Sequence, residues 1–232
     1  MGRILAISSG TMESTHPFNR YAVHLISRHP RNLLFIPTAS GDSAGYIESI
    51  TAEFSELGCE VRSLCLTRNH HTTTQLKEAL SWANLIYVGG GDTLFMMEHW
   101  HRQGLDQLLQ EVYRQDSALL MGISAGAMCW FSRGCTDSDR AEKPQGCAYG
   151  WTGPLLGLQA PCFCPHYEDR VSDFDLLLPS CSVEALAMES NTAFEEVNGT
   201  IRCLKSVPDA RAYRLHYQNG VLQRQELTLT YI

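Results

Sequence analysis

At 232 residues, with 44% hydrophobic and 19% charged side chains, the chain suits one globular α/β domain, residues 1–232, with a substantial core. The net charge of −7 and the lack of a Lys/Arg block argue against a nucleic-acid partner, and no apolar run is long enough to span a membrane. Nine scattered cysteines read as reduced thiols, and the opening run Ile4–Ile7 is too short for a signal sequence, so a cytoplasmic protein is expected.

Short apolar runs alternate with amphipathic segments through the first half. Strands are predicted at Ile4–Ile7, Leu33–Ile36, Val61–Leu66, Leu85–Val88 and Leu119–Ile123. Helices are predicted over Asn19–Arg28, over Ser43–Leu57 with Gly58 as the stop, and from Thr73, where Thr72 to Thr74 offer caps. Strands spaced by helices in this way predict a parallel sheet covered on both faces, with ligands gathered beyond the carboxyl ends of its strands. Ser8-Ser9-Gly10, Thr38-Ala39-Ser40, Gly89-Gly90-Gly91-Asp92 and Ser124 all fall at that rim. Farther on, Asn198-Gly199 and Asn219-Gly220 each separate alternating segments, the strongest short signal for a hairpin. From about Ala185 to Tyr231 these predict antiparallel strands that finish the sheet or form a small second one.

Gly122-Ile123-Ser124-Ala125-Gly126 follows an apolar strand and opens a predicted helix, the G-x-S-x-G pattern. On such a turn the serine hydroxyl is held out of the sheet, the Ala125 N–H faces a substrate oxygen, and the helix adds a positive dipole end. Gly89-Gly90-Gly91-Asp92 offers backbone N–H groups with no side chain in the way, as an oxyanion hole requires. A phosphate-binding turn is the rival there, but the P-loop lysine is missing and the G-x-G-x-x-G spacing fails. A plain tight turn explains the same glycines.

His166 lies in Cys162-Phe163-Cys164-Pro165-His166-Tyr167-Glu168, near a predicted strand end, and histidine is the usual base for a serine hydroxyl. Cys162, Cys164 and His166 alternate, so a strand would put all three on one face and allow a zinc site. No C-x-x-C pair supports that, and packed thiols are the simpler reading. For the acid that orients the imidazole, Asp137, Asp139 and Glu189 are all open.

Four motifs together resemble the α-aspartyl dipeptidase and cyanophycinase family of serine peptidases. They are Ile36-Pro37-Thr38-Ala39, Tyr87-Val88-Gly89-Gly90-Gly91-Asp92-Thr93, Gly122-Ile123-Ser124-Ala125-Gly126-Ala127 and Cys164-Pro165-His166-Tyr167. The resemblance implies a flavodoxin-like three-layer α/β sandwich with a mostly parallel central sheet and C-terminal antiparallel hairpins. It implies hydrolysis of short peptides through an acyl-enzyme, with Ser124 as nucleophile and His166 as general base. Gly90 or Gly91, with Ala125, would form the oxyanion hole. Glu189 is the favoured acid, then Asp137, then Asp139, and Asp92 and Thr38 are the expected substrate contacts. Asp92 stands where aspartyl dipeptidases usually carry asparagine. Neither Arg133 nor Arg170 matches the motif of the arginine that reads aspartate in those enzymes. No cofactor or metal is implied. The expected partner is a small peptide substrate, with no membrane or nucleic acid, and the expected state is a monomer or homodimer. The rival readings are an esterase or amidase on a non-peptide acyl substrate, and a non-catalytic binding domain that kept the serine turn.

Overall fold

The computed structural model describes residues 2–180 and 184–232. Its first sheet begins with strands β1 (Arg3–Ile7), β2 (Asn32–Ile36), β3 (Glu60–Ser63), β4 (Leu85–Val88) and β5 (Leu119–Ile123), all mutually parallel in the order β1-β5-β4-β2-β3. Helices α1 (Met12–His24), α2 (Ala44–Glu56), α3 (Thr73–Trp82), α4 (Thr93–Gln103) and α5 (Leu105–Gln115) make the crossovers. Alternation along the strands divides the core. Leu5, Ile7, Leu33 and Phe35 pack against Phe18 of α1 and Phe54 of α2, while Ile4, Ala6, Leu34 and Ile36 face Leu76, Trp100 and Leu109 of α3, α4 and α5.

Two predicted helices start or stop differently from expectation. The first begins at Met12, seven residues before Asn19, because Thr11 and Ser14 form a reciprocal capping box that sets the start ahead of Pro17. The helix after Ser124, α6, is one buried turn (Ala125–Met128), so the dipole expected from it is small. The chain then enters a second sheet.

That second sheet is the main departure from a plain three-layer sandwich. Strands β6 (Phe131–Thr136), β7 (Gly150–Trp151), β8 (Gln159–Pro165) and β9 (Ala185–Met188) build it, with β6, β8 and β9 parallel. One face, with Phe131, Phe163 and Leu186, joins the core under α3 to α5. The other is covered by Tyr167 and by Phe174 and Leu177 of helix α7 (Val171–Leu177).

Both predicted hairpins form. Strands β10 (Thr192–Val197) and β11 (Thr200–Lys205) turn at Asn198-Gly199, and β12 (Ala212–Gln218) and β13 (Val221–Glu226) turn at Asn219-Gly220. All four turn residues have φ between 53° and 76°, as a type I′ turn requires. The first hairpin extends the first sheet beside β1, with β14 (Leu229–Tyr231) beyond it, and the second extends the second sheet beside β9. No helix among the described residues is long and apolar enough to cross a membrane.

Candidate active site

The Ser124 turn is dictated by the glycines around it. A Cβ at Gly122 would lie 2.0 Å from the Gly126 carbonyl oxygen, and one at Gly126 would lie 2.2 Å from that of Val88. The strand-to-helix turn closes only when both lack side chains. Ser124 itself adopts φ 55° and ψ −114°, fastened by its N–H to the carbonyl of Ile7 at 3.0 Å. His166, directly after β8, is also strained, with φ 143°. Such backbone conformations cost about 1–3 kcal/mol each and persist where the surroundings enforce them. The result is a hydrogen bond of 2.6 Å between Ser124 Oγ and His166 Nε2. Ser124 comes from the first sheet and His166 from the second.

A pocket of about 430 Å³ opens over this pair, lined by Gly91, Asp92, Ser124, Asp137, Ser138, Asp139, His166 and Arg170. Burial and the nearby Arg170 guanidinium push the His166 pKa down to about 4, partly offset by Glu168, Asp137 and Asp169. The imidazole is therefore neutral at neutral pH, the form that can take a proton from a hydroxyl.

Gly90 packs on Ser124, where a Cβ would sit 3.4 Å from the serine Cβ. Its N–H already donates to the Tyr46 hydroxyl at 3.3 Å. Among the described residues no hydrogen bond engages the N–H of Gly91 or of Ala125, which leaves those two for a substrate oxygen. Gly91 has φ 140°, and a Cβ there would lie 2.1 Å from the Ala39 carbonyl oxygen.

Three expected site residues are engaged within the protein itself. Thr38 is fully buried, its Oγ1 accepts from Trp100 Nε1 at 3.2 Å in support of α4, and it lies outside the pocket lining. Asp92 reaches the pocket wall, but its carboxylate is committed: Oδ1 caps α4 by accepting from the N–H groups of Leu94 and Phe95, and Oδ2 accepts from Ser138 Oγ. Glu189 is outside the pocket lining, and its Oε2 accepts the Arg211 N–H at 3.0 Å. Among the described residues no carboxylate hydrogen-bonds to His166; Asp137 lies in the pocket and acts on the imidazole through its field, and the exposed Asp139 turns toward Lys143 at 3.9 Å.

Three contributors carried no sequence pattern. Ser138, between two aspartates, reads as an ordinary polar turn. Arg170, four residues after His166, is a largely buried part of the pocket wall with its guanidinium against the Cys135 carbonyl and the Tyr149 ring. Tyr46 is equally silent in sequence, since only the fold brings its hydroxyl to Gly90.

Known proteins similar to this chain carry peptidase names. Over its whole length the chain is 30% identical to the uncharacterized peptidase YgaJ of Bacillus subtilis, covering all of that protein. Over 62% of its length it is 27% identical to a probable alpha-aspartyl dipeptidase of Drosophila melanogaster, covering 55% of it. Its fold matches the crystal structure of a peptidase from an acI-B1 Actinobacterium with a TM-score of 0.76 at 23% identity, covering 99% of this chain and 95% of that one. A putative peptidase E protein from Listeria monocytogenes matches with a TM-score of 0.68 at 20% identity, over 89% of this chain and all of the other. Residues 4–202 match peptidase family S51, and the chain belongs to that family.

Proposed function

We propose that the chain is a serine peptidase that hydrolyses short peptides, with Ser124 as nucleophile and His166 as general base. The observation that carries this reading is the 2.6 Å contact between Ser124 Oγ and a half-buried, neutral imidazole at the mouth of a solvent-open pocket. In this reading Ser124 Oγ attacks the scissile carbonyl carbon while its proton passes to His166 Nε2. The carbonyl oxygen, now an anion, is held by the N–H groups of Gly91 and Ala125. His166 then gives the proton to the departing amine, leaving an acyl ester on Ser124. Water attacks that ester with His166 again taking the proton; the acyl–Oγ bond then breaks, His166 returns the proton to Ser124 Oγ, and the acid product leaves.

Asp137 is the acid this arrangement favours, since it shares the pocket with His166 and its charge supports the imidazolium. The volume of about 430 Å³ suits a ligand of dipeptide size. Among the described residues Arg170 is the one cationic side chain lining a wall otherwise rich in aspartates, so a substrate carboxylate would be drawn to it.

A dipeptide panel set against p-nitrophenyl esters tests the reading. Dipeptides should be cleaved, Ser124→Ala should lower the rate by about 10⁴-fold or more without change in melting temperature, and a fluorophosphonate should label Ser124. Wild-type rates in Ser124→Ala would overturn it. Turnover of esters with no dipeptide cleaved would make the protein an esterase.

A further inference from the structure

The segment after β6 is a tight turn built around Ser138. The Ser138 N–H donates to Thr136 Oγ1 at 3.2 Å, and its carbonyl accepts the Ala141 N–H at 3.0 Å. Ser138 is buried while Asp137 and Asp139 on either side are exposed. Its hydroxyl oxygen accepts the Arg140 N–H at 3.4 Å within the turn, and its hydrogen is donated outward to Asp92 Oδ2 at 3.1 Å. Asp92 is fixed independently, by its own N–H on the Ala39 carbonyl at 2.9 Å and by Oδ1 at the start of α4. One carboxylate thus joins two parts of the pocket that are 46 positions apart in the chain. On one side of it is Gly91, and on the other is the turn that carries Asp137. A second tie reinforces the join, because Arg140 pairs with Glu98 of α4 and lies 5.9 Å from the Phe95 ring.

We propose that Asp92 is a positioning residue that, through the Ser138 hydroxyl, holds the Asp137 carboxylate toward His166 and sets it against the Gly91 turn. This rests on the assignment of Ser124 and His166 given above. Neither Asp92 nor Ser138 touches the reacting atoms. They act by fixing where the acid and the oxyanion donor stand, to the fraction of an ångström that catalysis demands. Without the hydroxyl, an exposed aspartate in a turn is free to swing into solvent, and its charge no longer favours the imidazolium.

The groups that bear on His166 are Arg170, Glu168, Asp137 and Asp169, and only Asp137 sits on the latched turn. Ser138→Ala therefore has a specific signature. The His166 imidazole, followed by NMR, should titrate at lower pH than in wild type, while kcat for a cleaved dipeptide falls about tenfold and KM stays within about twofold. Adding Asp137→Asn to Ser138→Ala should cost no more than Asp137→Asn alone, since both remove one interaction. Asp92→Asn should recover most of the rate lost in Asp92→Ala, because an amide still caps α4 through its oxygen and can donate to Ser138 Oγ. An unchanged His166 titration in Ser138→Ala, or independent losses from Ser138→Ala and Asp137→Asn, would overturn the latch. The titration needs no turnover: if wild type cleaved no dipeptide the peptidase reading would fall, while the shift in His166 would still decide the latch.

Discussion

Ser124 and His166 meet because two strained residues are each held by the strand before them, and the strain has consequences one residue at a time. His166 has a folded pKa of about 4, below its ordinary value of 6.5. Above pH 6.5 the imidazole is neutral in both folded and unfolded chains and contributes nothing to pH dependence. Between 6.5 and 4 the unfolded chain takes up the proton and the folded one does not, so stability falls as pH falls across that window. Urea unfolding should show wild type losing more stability than His166→Gln between those two pH values. The same depressed pKa predicts that kcat/KM keeps its plateau well below pH 6.5, and an acidic limb centred at 6.5 would exclude His166 as the base in this environment. The neighbouring glycines separate fold from chemistry. Gly91→Ala drives a methyl into the Ala39 carbonyl at 2.1 Å and should cost about 3 kcal/mol or more. Gly90→Ala meets only ordinary contact, at 3.4 Å from Ser124, so its melting temperature should hold while a methyl beside the proposed nucleophile slows hydrolysis.

Elements show where local chemistry suffices to specify structure. The two Asn-Gly turns form hairpins because left-handed backbone at both positions matches the twist of the flanking strands. At Gly199, φ is 74° and nothing lies within 4 Å of an added Cβ, so Gly199→Ala isolates the conformational cost. It should destabilise by about 1 kcal/mol in urea unfolding with no loss of hydrolysis. Strands β1, β2, β4 and β5 were legible for a similar reason, since buried parallel strands are continuous apolar runs. Strand β6 was not, because Phe131-Ser132-Arg133-Gly134-Cys135-Thr136 carries no such run, and its partners lie far along the chain. Ser124 and His166 could be named from their own surroundings in sequence. The place of Asp137 could not, because the turn that carries it is fastened to Asp92 and α4 by contacts distant in the chain. Glu189, the acid preferred from its place after an apolar run, instead accepts from the Arg211 backbone beside β12.

At the scale of the molecule, Ser124 belongs to the first sheet and His166 to the second, so the 2.6 Å contact depends on how firmly the sheets are joined. Phe131 and Phe163 of the second sheet stack with centroids 4.4 Å apart, and Phe131 meets Phe194 of the first sheet edge-on at 5.3 Å. Phe163 is fully buried and lies three residues before His166. Phe54 of α2 is equally buried, in the separate core on the far face of the first sheet, against Tyr87 at 5.6 Å. Replacing either phenylalanine with leucine should cost about 1–2 kcal/mol, through similar losses of volume and ring contacts. Their effects on turnover should differ. Phe163→Leu lets the second sheet settle toward the first and moves the imidazole relative to Ser124, and a displacement well under an ångström is enough to slow attack about tenfold. Phe54→Leu leaves the joint between the sheets intact, so kcat should stay within about twofold of wild type. Measured below the melting transition of both variants, equal losses of kcat would mean that overall stability sets the rate. A loss confined to Phe163→Leu would locate the control of the Ser124–His166 contact in the packing between the two sheets.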